Sequence, residues 1–377
     1  LLFGFGFYIC GISWITNSLT FDENFKVLIP FALILIPLFL SLFLALTILF
    51  VGPYLKFNFL SLFLFSASIA TCDYLRAKVL TGFPWNLWAY STTWISELLQ
   101  VTNLIGLFSY NLLTVFVFTV PAIFFFIISI IKKVNISFFL VFFVFSLYVF
   151  GNYEINKNKK VLDTTTEKIF VKIVSPSFDL EYGLDEKDIE KRFKKIIRYS
   201  DPDQNRKTLF VWPEGVFSGY SYNEILNFKE LISNNFSKNH LIILGTNTLE
   251  PSSGNLYNSM LIVDNDFKII QSYNKRKLVP FGEFLPFENF LNNFGLKKIT
   301  EGHGSFLKGI NNDNLIVDNL NILPLICYEV IFTKLVQNSS VNTNLIVNIS
   351  EDGWFGDTIG PEQHFAKSIF RAIENNY

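Results

Sequence analysis

The stretch NILPLICYEV, Asn321–Val330, reads as an interior β-strand that ends on a reactive side chain. Ile322, Leu323, Leu325 and Ile326 are apolar on both faces, broken only by Pro324. A short run of that kind fits a strand covered on two sides rather than one facing water. Cys327 stands where the strand gives way to Tyr328 and Glu329. A thiol so placed has two readings. It is a buried structural cysteine, which is common, or a nucleophile, which needs a nearby cation or base to favour the thiolate.

Outward from this strand the pattern stays α/β. IFVKIVSP from Ile169 reads as a strand, TLFVWPEG from Thr208 as a buried strand ending in a Pro-Glu-Gly turn, and LIILGTNTLE from Leu241 as another strand with its own glycine turn. NSMLIVDNDFKIIQSYNK from Asn258 is strand, Asn-Asp turn and strand, a hairpin. NLIVNISEDGWFGD from Asn344 is a further strand. LDEKDIEKRFKKIIRY from Leu184 carries apolar residues at helical spacing among many charges, an amphipathic helix. Strands apolar on both faces and alternating with helices imply a layered sheet covered by helices.

The first part of the chain has a different character. Of 377 residues half are hydrophobic, 44 are Phe and only 17% are charged, below the usual quarter, and mean hydropathy is +0.36. Leu1–Ile15, Val27–Val51, Phe59–Thr71, Leu104–Ile131 and Ile136–Gly151 are long apolar runs. Val27–Val51 holds no charge over about 25 residues, enough to cross a bilayer. Five successive runs predict five transmembrane helices. Lys56, Lys132 and Lys133 in alternate short loops place those loops in the cytoplasm. The loop with Asp22, Glu23 and Lys26, the segment 76–103 and everything after Gly151 then lie outside the cytoplasm, in the periplasm of a Gram-negative cell. The outer segment RAKVLTGFPWNLWAYS, with Trp85, Trp88 and Tyr90, is an interfacial aromatic belt or a loop shaping a lipid entrance. The expected organisation is a transmembrane region over 1–151 and a catalytic domain over 168–377. The chain opens on Leu1 and closes on Tyr377 in a helical pattern, so both parts are expected to be incomplete.

Composition removes several function classes. A net charge of −1 gives no bulk attraction to nucleic acid. Cys10, Cys72 and Cys327 are odd in number and scattered, so they form no disulfide framework. His240, His303 and His364 are far apart in sequence and outside any metal-binding spacing, so no metal site is expected.

Two other strand ends carry chemistry. Glu214 closes TLFVWPEG, where Leu-Phe-Val-Trp is poor company for a charge; a carboxylate withdrawn from water is suited to proton transfer. It is alternatively a solvated turn residue. Lys275 opens KRKLVPFGEFLP, whose Pro280 and Gly282 make a rigid loop; held there it can donate to a developing oxyanion. Taken alone, it is more simply one of three solvated cations. Glu283 in the same loop can pair with a cation. Each signal is weak, but Glu, Lys and Cys at three strand ends supply a base, an oxyanion donor and a nucleophile.

At this point the soluble half resembles the nitrilase superfamily, with its Glu-Lys-Cys triad on an αββα sandwich. The whole chain resembles the apolipoprotein N-acyltransferase family, through FGFGFYICGISWI, LTGFPWNLWAYS, VWPEG, YNKRKLVPFGEFLP, ICYE, NISEDGWFGDTIGPEQHF and RAIEN. The resemblance implies a multi-helix transmembrane bundle joined to a nitrilase-like α/β sandwich. It implies Glu214 as general base, Lys275 as oxyanion donor and Cys327 as acylated nucleophile. Glu283, Tyr328 and Glu329 match supporting positions, and Trp354 and Phe355 match a loop beside the site; with Trp85 they are the expected substrate contacts. The sequence departs at Gly215, where the family more often has Ser or Thr, and at SPSFDLEYG after the first strand.

The implied reaction is a ping-pong acyl transfer. Cys327 takes an acyl chain from a phospholipid as a thioester, and the α-amine of an S-diacylglyceryl-cysteine apolipoprotein receives it. The partners are a phospholipid donor, a lipoprotein acceptor and the membrane, with no nucleic acid, no cofactor and a monomeric state. The expected location is the bacterial inner membrane, with the catalytic domain on the periplasmic side. Two rivals are a membrane-anchored nitrilase-type amidase and a non-catalytic binding protein.

Overall fold

The computed structural model describes the chain apart from residues 127, 165–168, 182, 288–304, 312, 338–342 and 377, and apart from the side chains of 161–164 and 337. His303 lies outside the described residues. The chain divides into two compact units, Leu1–Asn17 with Lys26–Thr165 and Thr358–Tyr377, and Ser18–Phe25 with Thr166–Asp357.

The first unit is helical. Among the described residues five helices are long and apolar enough to cross a membrane: Leu2–Thr20, Ile29–Tyr54, Phe59–Arg76, Thr102–Phe125 and Ile130–Lys160. Phe31, Leu35, Phe50, Phe138, Phe142 and Phe145 point away from the protein. Such a surface is tolerated where lipid replaces water. Two expected runs end elsewhere. The run Leu104–Ile131 is helical only to Thr119 and then tightens over Val120–Phe125, where Pro121 lacks the N–H that would continue the ladder. The helix expected to end at Gly151 runs from Ile130 to Thr164, because the polar stretch after Gly151 contains no breaker and adds a Glu154–Lys157 pair at 3.1 Å. The composition change near residue 151 marks where this helix leaves apolar sequence, not where it ends.

A polar network fixes the end of the third span. Arg76 Nη2 donates to Asp73 Oδ1 at 2.9 Å and Asn111 Nδ2 to Asp73 Oδ2 at 2.9 Å. Arg76 also donates to the carbonyls of Phe83 and Asn86, and the Ala89 N–H donates to Asn111 Oδ1 at 3.0 Å. The segment after Arg76 is thereby pinned to two helices by a buried polar network.

The helix Gly360–Glu374 also packs in this unit, although its place in the sequence suggested the catalytic domain. Gln363 Oε1 accepts from the indoles of Trp14 at 3.0 Å and Trp85 at 2.6 Å. Phe370 is buried among Leu87, Leu99, Leu107 and Tyr110. Glu374 Oε1 accepts the Leu107 N–H at 2.8 Å. That N–H is presented by a break in the fourth span at Gly106, whose φ of +75° suits glycine.

The second unit is a pair of sheets. One has the order β1-β2-β3-β4-β5, with β1 Phe170–Ile173, β2 Thr208–Val211, β3 His240–Leu249, β4 Leu256–Val263 and β5 Ile269–Asn274. β1, β2 and β3 are parallel; β4 and β5 form the expected antiparallel hairpin. The other sheet has β6 Leu315–Val317, β7 Leu320–Ile326 and β8 Leu345–Ile349 in that order. β6 pairs β7 only as far as Ile322, so Pro324 lies where a missing N–H need not serve two neighbours.

The sheets share one core. Leu209, Val211, Ile243, Met260 and Ile262 meet Leu315, Val317, Ile322, Ile326, Val347 and Ile349. The outer face of the larger sheet is covered by the helix Glu186–Ser200, which buries Ile189, Phe193, Ile196 and Ile197 against Phe210, Trp212, Ile242 and Leu244. Fully burying each such side chain stabilises by about 1.5–3 kcal/mol. Asp185 and Asp188 form a capping box at this helix's start, and Ser200 Oγ accepts the Trp212 indole N–H at 3.0 Å. Helix, sheet and sheet are layers of the nitrilase-like sandwich.

Candidate active site

Strand ends bring the expected triad together. Glu214 follows β2, Lys275 follows β5 and Cys327 follows β7. Lys275 is 1% exposed. Its Nζ donates to Glu283 Oε1 at 2.9 Å and to Glu214 Oε1 at 3.4 Å. Burial opposes its charge, but Glu214, Glu283 and Cys327 together hold its pKa well above the usual lysine value. Its backbone is clamped as well: Lys275 N–H donates to Asn258 O at 2.8 Å, and the Gly309 N–H donates to Lys275 O at 2.8 Å.

Glu214 is less enclosed than its apolar strand suggests, with its side chain 13% exposed. Three donors hold it. Asn258 Nδ2 and Lys275 Nζ reach Oε1, and the Glu351 N–H reaches Oε2 at 3.1 Å. Asn258 lies 2.7 Å from Glu214 Oε1 and 2.7 Å from Glu283 Oε1, so one amide bridges the two carboxylates that share Lys275. The Val279 N–H donates to Glu283 Oε2 at 2.8 Å.

Cys327 has φ of +50°, a left-handed backbone that a residue with a Cβ adopts at a penalty of about 1–2 kcal/mol. The turn throws the thiol off the end of β7 at the start of a short helical turn, Cys327–Ile331. Burial and then the charge of Glu214 push the thiol pKa up; Lys275 acts in the opposite direction, and Ser350 is a hydrogen-bond partner. The resting sulfur is therefore a protonated thiol that needs a base before it can attack.

Glu329 holds this arrangement from behind. It is fully buried, and burial raises its pKa. Oε1 accepts the N–H groups of Arg276 at 2.7 Å and Lys277 at 2.9 Å, Oε2 accepts that of Ile326 at 2.9 Å, and the Tyr273 hydroxyl donates to both oxygens. One carboxylate thus ties the turn after Lys275 to the strand end before Cys327. Tyr328 is buried edge-on to Phe332.

Trp354 sits on the turn Asp352–Phe355 with Phe21 edge-on at 5.5 Å; Phe355 is buried. Trp85 belongs to the helical unit. It is 2% exposed, stacks with His364 and carries Lys367 at 4.1 Å over its ring, the surroundings of a packing residue. His240 is likewise satisfied in place by the Ser237 N–H and the Asp203 carbonyl.

Sequence reasoning missed Asn258 and Glu351. Both signals were present. Asn258 is an amide inside a mostly apolar strand, and Glu351 is a carboxylate just past a strand end, the same cue that singled out Glu214.

Two family models match the chain: the apolipoprotein N-acyltransferase N-terminal domain over residues 1–120 and carbon-nitrogen hydrolase over residues 182–377. An apolipoprotein N-acyltransferase of Brucella melitensis is 30% identical, over 99% of this chain and 71% of the relative. The chain belongs to the apolipoprotein N-acyltransferase family. Another member, from Allorhizobium ampelinum, is 29% identical over 99% of this chain and 71% of its own length. The crystal structure of a carbon-nitrogen hydrolase from Helicobacter pylori G27 is similar over 55% of this chain and 68% of that one, at 14% identity and a TM-score of 0.38. Membership of the N-acyltransferase family accords with a nitrilase-like sandwich and five membrane-length helices in one chain.

Proposed function

We propose that this protein moves an acyl chain from a membrane phospholipid to the free α-amine of an S-diacylglyceryl-cysteine apolipoprotein, through a thioester on Cys327. The observation that carries this reading is the sharing of Lys275 by Glu214 and Glu283, with Cys327 within reach of their charges, in a chain with five membrane-length helices. Glu214 takes the thiol proton as the sulfur attacks the ester carbonyl. Lys275, held charged by two carboxylates, meets the oxyanion. The lysophospholipid alkoxide leaves with a proton from Glu214, and the thioester remains. The lipoprotein amine then attacks the thioester, Glu214 accepts its proton, and the thiol is restored.

Glu283, Tyr328 and Glu329 support this work: the first by pairing Lys275, the other two by fixing the turn at Cys327. Trp354, half-buried, offers aromatic surface to an acyl chain, and Phe355, buried beneath its turn, supports that loop. Trp85 serves binding indirectly, by ordering the segment after Arg76 through Gln363. Membrane placement suits the chemistry, since drawing a long acyl chain into water costs about 0.8 kcal/mol per CH₂. A periplasmic side of the inner membrane for the catalytic domain is supported by Lys56, Lys132 and Lys133, whose charges favour a cytoplasmic side for their loops.

The test is complementation of a cell depleted of lipoprotein N-acylation. The full-length protein should restore N-acylated lipoproteins and Cys327→Ala should not. Restoration by Cys327→Ala at the normal level would end the proposal. Release of ammonia from amides without acylation would instead support the amidase.

A further inference from the structure

A second carboxylate, which the reaction above does not use, stands beside Glu214. Glu351 lies two residues past β8, and its own N–H donates to Glu214 Oε2. Its side chain is half-buried, with Oε1 accepting the Gly353 N–H at 3.0 Å. Oε2 lies over Gly215: a Cβ at that position would fall 2.4 Å from Oε2 and 2.7 Å from Cγ. The residue after Glu214 is thus a glycine where the carboxylate of Glu351 takes the space of a side chain.

The charges around Glu351 come from several elements. Glu214 faces it from the turn after β2, Asp352 from its own turn, and Arg192 from the helix Glu186–Ser200. Asp352 accepts from Ser350 Oγ at 2.6 Å, and Arg192 is engaged with Glu181 at 3.2 Å and the carbonyls of Asp179 and Val216. Beyond Glu214 lie Lys275, Glu283 and Cys327. Acids outnumber bases in this cluster. Burial, joined by the charges of Glu214 and Asp352, raises the Glu351 pKa to about 7, against the pull of the Gly353 N–H and Arg192.

We propose that Glu351 is a positioning residue for acyl transfer: its amide fixes Glu214 Oε2, and its carboxylate, seated over Gly215, is the neighbouring charge that governs how firmly Glu214 holds the proton taken from Cys327. The proposal rests on Glu214 being the base. Ionised Glu351 places a second negative charge beside Glu214, which strengthens the pull on the thiol proton. Neutral Glu351 removes that charge. Acylation of Cys327 therefore rises with pH through the titration of Glu351.

The experiment follows acylation and transfer by the full-length protein in phospholipid–detergent micelles, from about pH 5.5 to about pH 9. Glu351→Gln keeps the amide and the size but not the charge. Its kcat above neutrality should fall about threefold to tenfold with KM within about twofold, and the step near pH 7 should vanish. Glu351→Asp, which restores a charge, should recover the step. Gly215→Ser, which crowds the carboxylate, should lower kcat across the range. A Glu351→Gln profile that matches the parent overturns the proposal. If that variant does not fold, Gly215→Ser with the parent's kcat and pH profile overturns it. Glu214→Gln separates the two levels. Full acylation by Glu214→Gln removes the base itself, whereas its loss beside an unchanged Glu351→Gln removes only the present inference.

Discussion

Glu329 accepts the backbone N–H of Arg276 at 2.7 Å, and Arg276 is the residue next to Lys275. The same carboxylate accepts the N–H of Ile326, the residue before Cys327. Lys275 and Cys327, which come from different sheets, are therefore spaced by one buried side chain. Glu329→Ala leaves three backbone donors and the Tyr273 hydroxyl without their acceptor. It should lower the stability of the catalytic unit by about 3–5 kcal/mol, read as an earlier thermal unfolding transition in detergent. Glu329→Gln, which keeps the acceptor oxygen, should lose less.

Asn258 keeps Glu214 and Glu283 from repelling each other around Lys275. Asn258→Asp replaces the shared donor with a third carboxylate. Acylation of Cys327 should fall by about 100-fold or more, while Asn258→Ala should lose about tenfold. Single-turnover rates with a labelled phospholipid check both. Equal losses in the two variants would mean that repulsion is not the issue.

The pH dependence of Cys327 has a definite sign. Burial and Glu214 raise the thiol pKa, so the thiolate is scarce at neutral pH and becomes abundant only in alkali. Alkylation of Cys327 by iodoacetamide at about pH 8 should be slower than that of an ordinary cysteine, with pKa about 8.5. Lys275 opposes the upward shift, so Lys275→Met should slow alkylation further. Peptide mapping of the alkylated protein separates Cys327 from Cys10 and Cys72.

The helical unit carries its own test. Arg76 and Asp73 are both buried and paired, with Asn111 completing the network. Arg76→Leu leaves Asp73 with an uncompensated charge and frees the carbonyls of Phe83 and Asn86. It should destabilise the protein by about 3–5 kcal/mol. The double variant Arg76→Leu, Asp73→Leu should recover part of that loss, as judged by thermal unfolding.

The elements with strong periodicity were readable in the sequence. The helix Glu186–Ser200 announces itself by Ile189, Phe193 and Ile196 among charges, and β7 by an apolar run interrupted only at Pro324. What was not readable depends on partners distant in sequence. The last helix carries Gln363, Phe370 and Glu374, whose meaning comes from Trp14, Trp85, Tyr110 and Leu107 in the helical unit. The fifth span outran its apolar stretch because helix propensity, not hydropathy, decides where a helix stops. In the site, Glu214, Lys275 and Cys327 stood out as reactive types at strand ends. Asn258 and Glu351 carried comparable cues, an amide within a strand and a carboxylate past a strand end, but that both hold Glu214 depends on contacts between segments distant in sequence. The strain at Cys327 is likewise invisible until φ is known.

The central claim is a thioester on Cys327. The most direct measurement is the intact mass of the full-length protein after incubation with a phospholipid of known acyl chains, without acceptor. One added acyl group, mapped to Cys327 and released by hydroxylamine or by a diacylglyceryl peptide with a free α-amine, is the predicted result. An unmodified Cys327 in a preparation that still N-acylates the peptide would contradict it.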